Sequence, residues 1–208
     1  MSIRVHHLND SRSQRILWLL EELGLPYELV KYSRDAETRL APPALEAVHP
    51  LGKAPMVELD GQLLIESGAI VETIIDRKGA GRLAPPHGTE DEANYRMWLH
   101  YAEGSAILPL MLRLYVSRLG EAGAPLFPRI ESETARHLGF VEASLSGRDW
   151  LVGDQLTGAD IMMSFIGELA GVYGMRGQYP AMDAWVKRFQ ARPAYARALE
   201  IGGAYSFA

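Results

Sequence analysis

The chain has 208 residues, a formal net charge of −5, 48% hydrophobic and 23% charged residues, which excludes a disordered chain, a collagen-like chain and a short disulfide scaffold. The mild acidity leaves no electrostatic footprint for nucleic acid, and no apolar run reaches the roughly 20 residues that cross a bilayer. Cysteine is absent, so thiol nucleophiles, disulfides and Cys-based metal sites are excluded. The opening Met1 to Val5 has no secretory signal, and the expectation is a cytoplasmic protein with no membrane and no nucleic-acid partner.

Ile3 to Leu8 predicts a strand. Asn9-Asp10-Ser11 then gives a helix N-cap signal, and Ile16, Leu19, Leu20 and Leu23 recur at helical spacing, predicting a helix over 11–23 that Gly24 ends. Tyr27 to Lys31 alternates and predicts a second strand, parallel to the first across a βαβ crossover. Residues 33–55 are irregular, with a short helical piece over 43–47. Two apolar runs, 55–59 and 62–65, flank Asp60-Gly61, the dipeptide of a tight hairpin. Ile70, Val71, Ile74 and Ile75 share one face of a helix predicted over 66–77.

Residues 80–88 are Gly/Pro-rich and read as a linker between an α/β domain over 1–79 and an all-helical domain over 89–208. In the second part, Glu90 to Leu119 predicts a long helix kinked at Pro109. Further helices are expected over 128–145, 158–172 and 180–191. Thr157-Gly158-Ala159-Asp160 resembles a capping box with Asp at its fourth position.

Three segments carry candidate chemistry. The end of the first strand and the start of the first helix offer Ser11 and Ser13 beside free backbone N–H groups, where a hydroxyl donates to an anion. Gly52-Lys53-Ala54-Pro55 precedes a strand; a cis bond at Pro55 exposes the Ala54 backbone for pairing with a peptide, and Lys53 suits a carboxylate. Glu66-Ser67 opens a helix, with Glu66 suited to an ammonium group and the Ser67 N–H to a carboxylate. Each alone is an ordinary cap or turn. In the order β-α-β-α-β-β-α all three fall at one end of the sheet, where a small zwitterionic peptide with a thiol satisfies them together. His6-His7 is no metal pair, because neighbours on a strand point to opposite faces, and no metal site is expected.

Over almost its whole length the chain resembles the cytosolic glutathione transferases. The matching stretches are Ser11-x-x-x-Arg15 with Leu19-Leu20-Glu21-Glu22-Leu23-Gly24, His49-Pro50-Leu51-Gly52-Lys53-Ala54-Pro55, Glu66-Ser67-x-Ala69-Ile70, and Thr157 to Asp160. The resemblance implies an α/β thioredoxin-like N-terminal domain plus an all-α C-terminal helical domain. It implies glutathione as co-substrate, attack of its thiolate on a small hydrophobic electrophile, a detoxification role and a homodimer. On the matching positions, Glu66 and Ser67 hold the γ-glutamyl group, and the Ala54 backbone pairs with the cysteinyl part. Pro55 is the cis-proline, and Lys53 meets the glycyl carboxylate. Thr157 and Asp160 support folding. Ser11 matches the activating hydroxyl of Ser-type bacterial members, with Ser13 or a backbone N–H as the rival, because the Tyr of other members is replaced by His6 and His7. Tyr101, Met111 and Tyr115 are the expected wall of the second-substrate pocket; Phe165 in the most apolar helix reads as core, and Glu103 as a solvated face. Arg12, Arg15, Arg34 and Arg39 read as surface charges near the site. Two other functions share this pattern: glutathione-dependent peroxide reduction, dehalogenation or isomerisation, and a non-catalytic binding or regulatory module. The intact Pro55, Glu66 and Ser67 argue against the second.

Overall fold

The computed structural model describes residues 2–208. By internal packing the chain divides into two compact units. One runs to Arg82 and also takes in Phe189–Ala208; the other is Leu83–Arg188. Residues 189–208, expected with the helical part, therefore pack within the first unit.

The first unit holds strands β1 (Ile3–Leu8), β2 (Glu28–Tyr32), β3 (Met56–Leu59) and β4 (Gln62–Leu64). They form one sheet in the order β2-β1-β3-β4. β1 runs parallel to β2 and antiparallel to β3, and β3 antiparallel to β4. The parallel pair requires a crossover, which is α1 (Gln14–Leu23). Asp60 and Gly61 both take positive φ, 49° and 86°, matching the hairpin to the twist of β3 and β4. α2 (Ser67–Lys78) follows.

α1 is buried on nearly every side, from Gln14 through Leu20 and again at Leu23. Part of that cover is a helix the sequence patterning did not reveal, α8 (Pro193–Gly202). Trp18 stacks on Phe189 with ring centroids 5.2 Å apart and meets the edge of Tyr195 at 5.5 Å. Glu22 accepts from Trp18 Nε1 at 2.9 Å and from Arg192 Nη2 at 2.9 Å. Glu21 pairs with Arg197 at 3.1 Å and accepts from the Tyr27 hydroxyl at 3.0 Å. The Leu-Leu-Glu-Glu-Leu stretch thus turns its leucines into the core and its carboxylates towards Trp18, Tyr27 and α8.

The second unit comprises α3 (Glu90–Tyr101), α4 (Ile107–Ser117), α5 (Phe127–Leu145), α6 (Gly158–Val172) and most of α7 (Pro180–Gln190). The long helix expected over 90–119 is two helices. A π-helical turn over Ala102–Ala106 separates them, just ahead of Pro109. Pro109 lacks an N–H and its ring crowds the carbonyl four residues back; the widened turn lies at that carbonyl, on Ser105. α6 is the core helix, buried from Gly158 to Ala170. At Gly167 a Cβ would stand 2.7 Å from Val186 Cγ2, so only glycine lets α6 and α7 approach so closely. The Thr157–Asp160 capping box is complete. Asp160 accepts from Thr157 N–H at 2.9 Å, and from Leu151 N–H and Trp185 Nε1 at 3.0 Å.

Candidate functional site

The helix expected from Ser11 begins three residues later, at Gln14. Residues 11–13 instead form a tight turn, in which Gln14 N–H reaches the Ser11 carbonyl at 3.2 Å and Ser13 N–H is taken by the Ser11 side chain. Ser11 is therefore not a helix cap. Its hydroxyl donates to the Leu8 carbonyl at 2.8 Å and its Oγ accepts from Ser13 N–H at 3.1 Å. Ser13 Oγ lies 2.7 Å from Ser11 Oγ, 2.9 Å from His7 Nδ1 and 3.2 Å from the Leu8 carbonyl, and accepts from Leu8 N–H at 3.1 Å. Both serines are buried.

His7 is buried as well. Burial first, then the charge of Lys31, push its pKa down to about 4 against an opposing hydrogen bond to the Gly202 backbone. The ring is neutral at physiological pH, so with one nitrogen donating to that backbone the other accepts from Ser13. His6 points the other way, to the Tyr32 hydroxyl at 2.9 Å and Glu58 at 3.0 Å.

The Ala54–Pro55 bond is cis. Ala54 packs on the cluster of Leu8, Leu45 and Met56, which ties this turn to the residue whose carbonyl takes the Ser11 hydroxyl. Lys53 is exposed. Glu66 is exposed too and holds φ 67° and ψ 121°, a conformation costing a non-glycine residue about 1–3 kcal/mol. It delivers the chain abruptly into α2, with Ser67 buried in the first turn. Arg15, expected at the surface, is buried, and its Nη2 donates to Ser67 Oγ at 3.4 Å. The starts of α1 and α2 are joined by this bond. A basic residue at helical spacing reads as solvated, and only its place in the Ser11-x-x-x-Arg15 match singles out Arg15 in the sequence. Arg34 and Arg39 are likewise engaged with the loop: Arg34 donates to the Asn9 and Asp10 carbonyls at 3.1 Å, and Arg39 pairs with Asp10 at 2.5 Å.

In the second unit, Met111 and Tyr115 lie on one face of α4 with Leu108 and Leu112; of these, Leu108 and Tyr115 are the most open, at 57% and 56% exposure. Tyr101 is not on that helix. It packs against Trp98 and Phe140, with its hydroxyl 2.6 Å from His137 Nδ1, and burial raises its pKa to about 12. Phe165 is buried in α6, and Glu103 lies in the π-helical turn, partly buried. The first unit thus gathers buried hydroxyls, a buried guanidinium and the free N–H groups of a helix start, a set suited to a small anion-bearing ligand.

Comparison with known proteins agrees on both units. Residues 2–75 match the family model of the glutathione S-transferase N-terminal domain, and residues 104–193 that of the C-terminal domain. Glutathione S-transferase 1 of Saccharomyces cerevisiae is 34% identical, covering 95% of this chain and 94% of its own. The crystal structure of a glutathione S-transferase from Actinobacillus pleuropneumoniae superposes with a TM-score of 0.87 at 35% identity, covering 96% of this chain and 92% of its own. A family member from Pseudomonas fluorescens, solved with two glutathione bound, gives a TM-score of 0.80 at 28% identity, covering 96% and 92%. The sheet with its packed helices is the thioredoxin-like half of this fold and the second unit its helical half, and the chain belongs to the glutathione S-transferase family.

Proposed function

We propose that this glutathione transferase activates the thiol of glutathione through Ser11 and directs the thiolate at a small hydrophobic electrophile. The observation that carries the reading is the Ser11 hydroxyl. It accepts from Ser13 N–H at 3.1 Å and donates to the Leu8 carbonyl at 2.8 Å, a carbonyl that Ser13 Oγ also reaches at 3.2 Å. When Ser11 turns its proton to a bound sulphur, Ser13 stays in place, its own proton on His7 Nδ1 and its Oγ accepting from Leu8 N–H. A free thiol titrates near ~8.5. A hydrogen bond to a charged acceptor contributes roughly 1.5–3 kcal/mol, which at ~1.4 kcal/mol per unit lowers the thiol by about one to two units. Ser11 is a donor here, neither base nor nucleophile.

Glutathione is assigned to the first unit: Glu66 and Ser67 to the γ-glutamyl group, the Ala54 backbone before Pro55 to the cysteinyl part, and Lys53 to the glycyl carboxylate. The Arg15–Ser67 bond supports this by bringing a buried positive charge to the γ-glutamyl end. The exposed apolar face of α4, with Met111 and Tyr115, is assigned to the electrophile, and Tyr101 to its border. These roles divide the chain into a glutathione-binding part over 1–79, a linker over 80–88 and a helical part from 89 to 208, the last residues of which, from Phe189, pack with the first unit. Among the described residues no helix is long and apolar enough to cross a membrane, and the enzyme is assigned to the cytoplasm as a homodimer.

Calorimetric titration of glutathione into wild type and Ser11→Ala, with thiolate absorbance followed against pH, tests the assignment. Both should bind alike, and only wild type should show the lowered thiol pKa. A shift that survives Ser11→Ala and vanishes in Ser13→Ala moves the role to Ser13; absence of glutathione binding overturns the reading.

A further inference from the structure

We propose that Asp10 is a positioning residue: it aims the Ser11 hydroxyl by holding the loop before it between the Arg39 segment and the C-terminal segment. The inference rests on Ser11 as the thiol-activating group.

Asp10 has no capping role, since α1 starts at Gln14 with Ser13 in the cap position. Its carboxylate is buried instead and takes two partners from remote parts of the chain. Oδ2 meets Arg39 Nη2 at 2.5 Å, and Oδ1 accepts from Ser206 N–H at 2.8 Å. Hydrogen bonds from Ser206 and the charge and hydrogen bond of Arg39 hold its pKa below the ordinary carboxylate value in spite of burial, so the grip is that of an ionised group. The backbone on either side is held too. Arg34 donates from Nε to the Asn9 carbonyl and from Nη2 to the Asp10 carbonyl, each at 3.1 Å, and Asn9 Oδ1 accepts from Arg34 N–H at 2.8 Å.

The consequence for Ser11 is geometric. Asp10 holds φ at 48°, in the left-handed region that side chains seldom occupy. Asp tolerates it better than most residues, but here the carboxylate bonds fix it. That dihedral sets the direction of the peptide leading into Ser11, and so the place from which its hydroxyl reaches the Leu8 carbonyl at 2.8 Å. Releasing the carboxylate lets the loop relax and carries the donor away from the position it needs. Hydrogen-bond donors lose their effect steeply with displacement.

The distal clamp is built for the purpose. α8 packs on α1 and ends at Gly202. A Cβ on Gly202 would lie 2.5 Å from Gln14 Oε1, so the chain leaves α8 pressed against the start of α1. Four residues later, between the paired rings of Tyr205 and Phe207, Ser206 presents its N–H to Asp10.

Three variants test this. Asp10→Gly removes the carboxylate while accepting the positive φ. Asp10→Asn keeps that φ and one acceptor oxygen. Ser206→Pro deletes the N–H donor, and with it the Ser206 hydroxyl bond, while leaving the carboxylate and its Arg39 partner in place. For each, the glutathione dissociation constant, the pKa of the bound thiol, and kcat and KM with a chlorodinitrobenzene are measured beside Ser11→Ala. Asp10→Gly should bind glutathione within about threefold of wild type, yet show a bound thiol raised by about one unit and kcat lowered roughly tenfold. Asp10→Asn should recover most of the loss, and Ser206→Pro should fall between. If Asp10→Gly folds and keeps the wild-type thiol pKa and kcat while Ser11→Ala loses them, the positioning role is overturned and the Ser11 assignment stands. If Asp10→Gly does not fold, Ser206→Pro decides, and an unmoved thiol pKa there overturns the proposal. If Ser11→Ala leaves the thiol pKa unmoved, the assignment of Ser11 falls and this inference with it.

Discussion

Both units bury polar side chains, and they satisfy them over very different distances along the chain. In the helical unit the fully buried groups find most of their partners nearby, with Trp185 on Asp160 a long-range exception. The Thr134 hydroxyl donates to the Ile130 carbonyl and Ser164 to Ile161, and Asp160 takes the N–H groups of Thr157 and Leu151. In the first unit a local cluster of Ser11, Ser13 and His7 is flanked by buried side chains whose partners come from afar. Asp10 meets Arg39 and Ser206, Arg15 meets Ser67, and His7 lies against Gly202. Local satisfaction stiffens individual helices. Long-range satisfaction gathers segments at one point and orients their dipoles before any ligand arrives, and such preorganisation is what a binding site requires.

The hardest test of that contrast is removal of the packing that brings the remote segment in. Trp18→Ala deletes a fully buried ring stacked on Phe189 and set against the edge of Tyr195 and should cost about 3–5 kcal/mol. Denaturant melts should show the loss, and amide exchange over 193–202 should accelerate more than exchange in α6. If α8 stays as protected as in wild type, the claim that long-range contacts assemble the first unit fails.

His7 comes next. Its folded pKa of about 4 lies below the ordinary 6.5, so unfolding takes up a proton between those values, and stability falls as pH drops from 6.5 towards 4. The difference is worth about 3 kcal/mol. Relative to wild type, His7→Gln should flatten the dependence of unfolding free energy on pH across that window. Equal slopes would mean the ring is not held neutral by burial.

The smallest effect is expected in the helical unit. Asp160→Asn leaves one acceptor oxygen where four donors now converge, from Thr157 N–H and hydroxyl, Leu151 N–H and Trp185 Nε1. It should destabilise by about 2 kcal/mol and leave glutathione affinity unchanged at temperatures where the variant is folded. A fall in affinity would blur the distinction between the two kinds of polar burial.

The legible parts of this molecule were those written in consecutive residues. Asp60-Gly61 needs positive φ at two adjacent positions, and Thr157 to Asp160 satisfies its own helix end, so both are visible in four or five letters. The residues proposed for the site, Ser11, Ala54-Pro55 and Glu66-Ser67, likewise stand in short consecutive motifs. The rest depends on partners far along the chain. α8 leaves little trace in the sequence because its buried face is largely Ala194, Ala198 and Gly202 with one aromatic, Tyr195. Small residues carry little apolar signal, and their value lies in letting α8 approach α1. The start of α1 was misplaced because Asn9-Asp10-Ser11 has the composition of a cap, whereas the carboxylate is drawn off to Arg39 and Ser206. The π-helical turn is hidden for a similar reason: Pro109 announces a disturbance, but not on which side the backbone will widen.

The placement of α8 also bears on how the molecule is made. Phe189–Ala208 belongs with the β-sheet unit but follows Leu83–Arg188 in the chain. A nascent polypeptide leaves the ribosome in order, at roughly 5–20 residues per second. The sheet and α1 therefore wait several seconds, while the whole helical unit emerges, before Phe189 and Tyr195 reach Trp18 and Ser206 reaches Asp10. During that interval the apolar side of α1 that these residues later cover stands open on the growing chain. The half of the protein read first is completed last, and this window is when it is most exposed to chaperones and to aggregation.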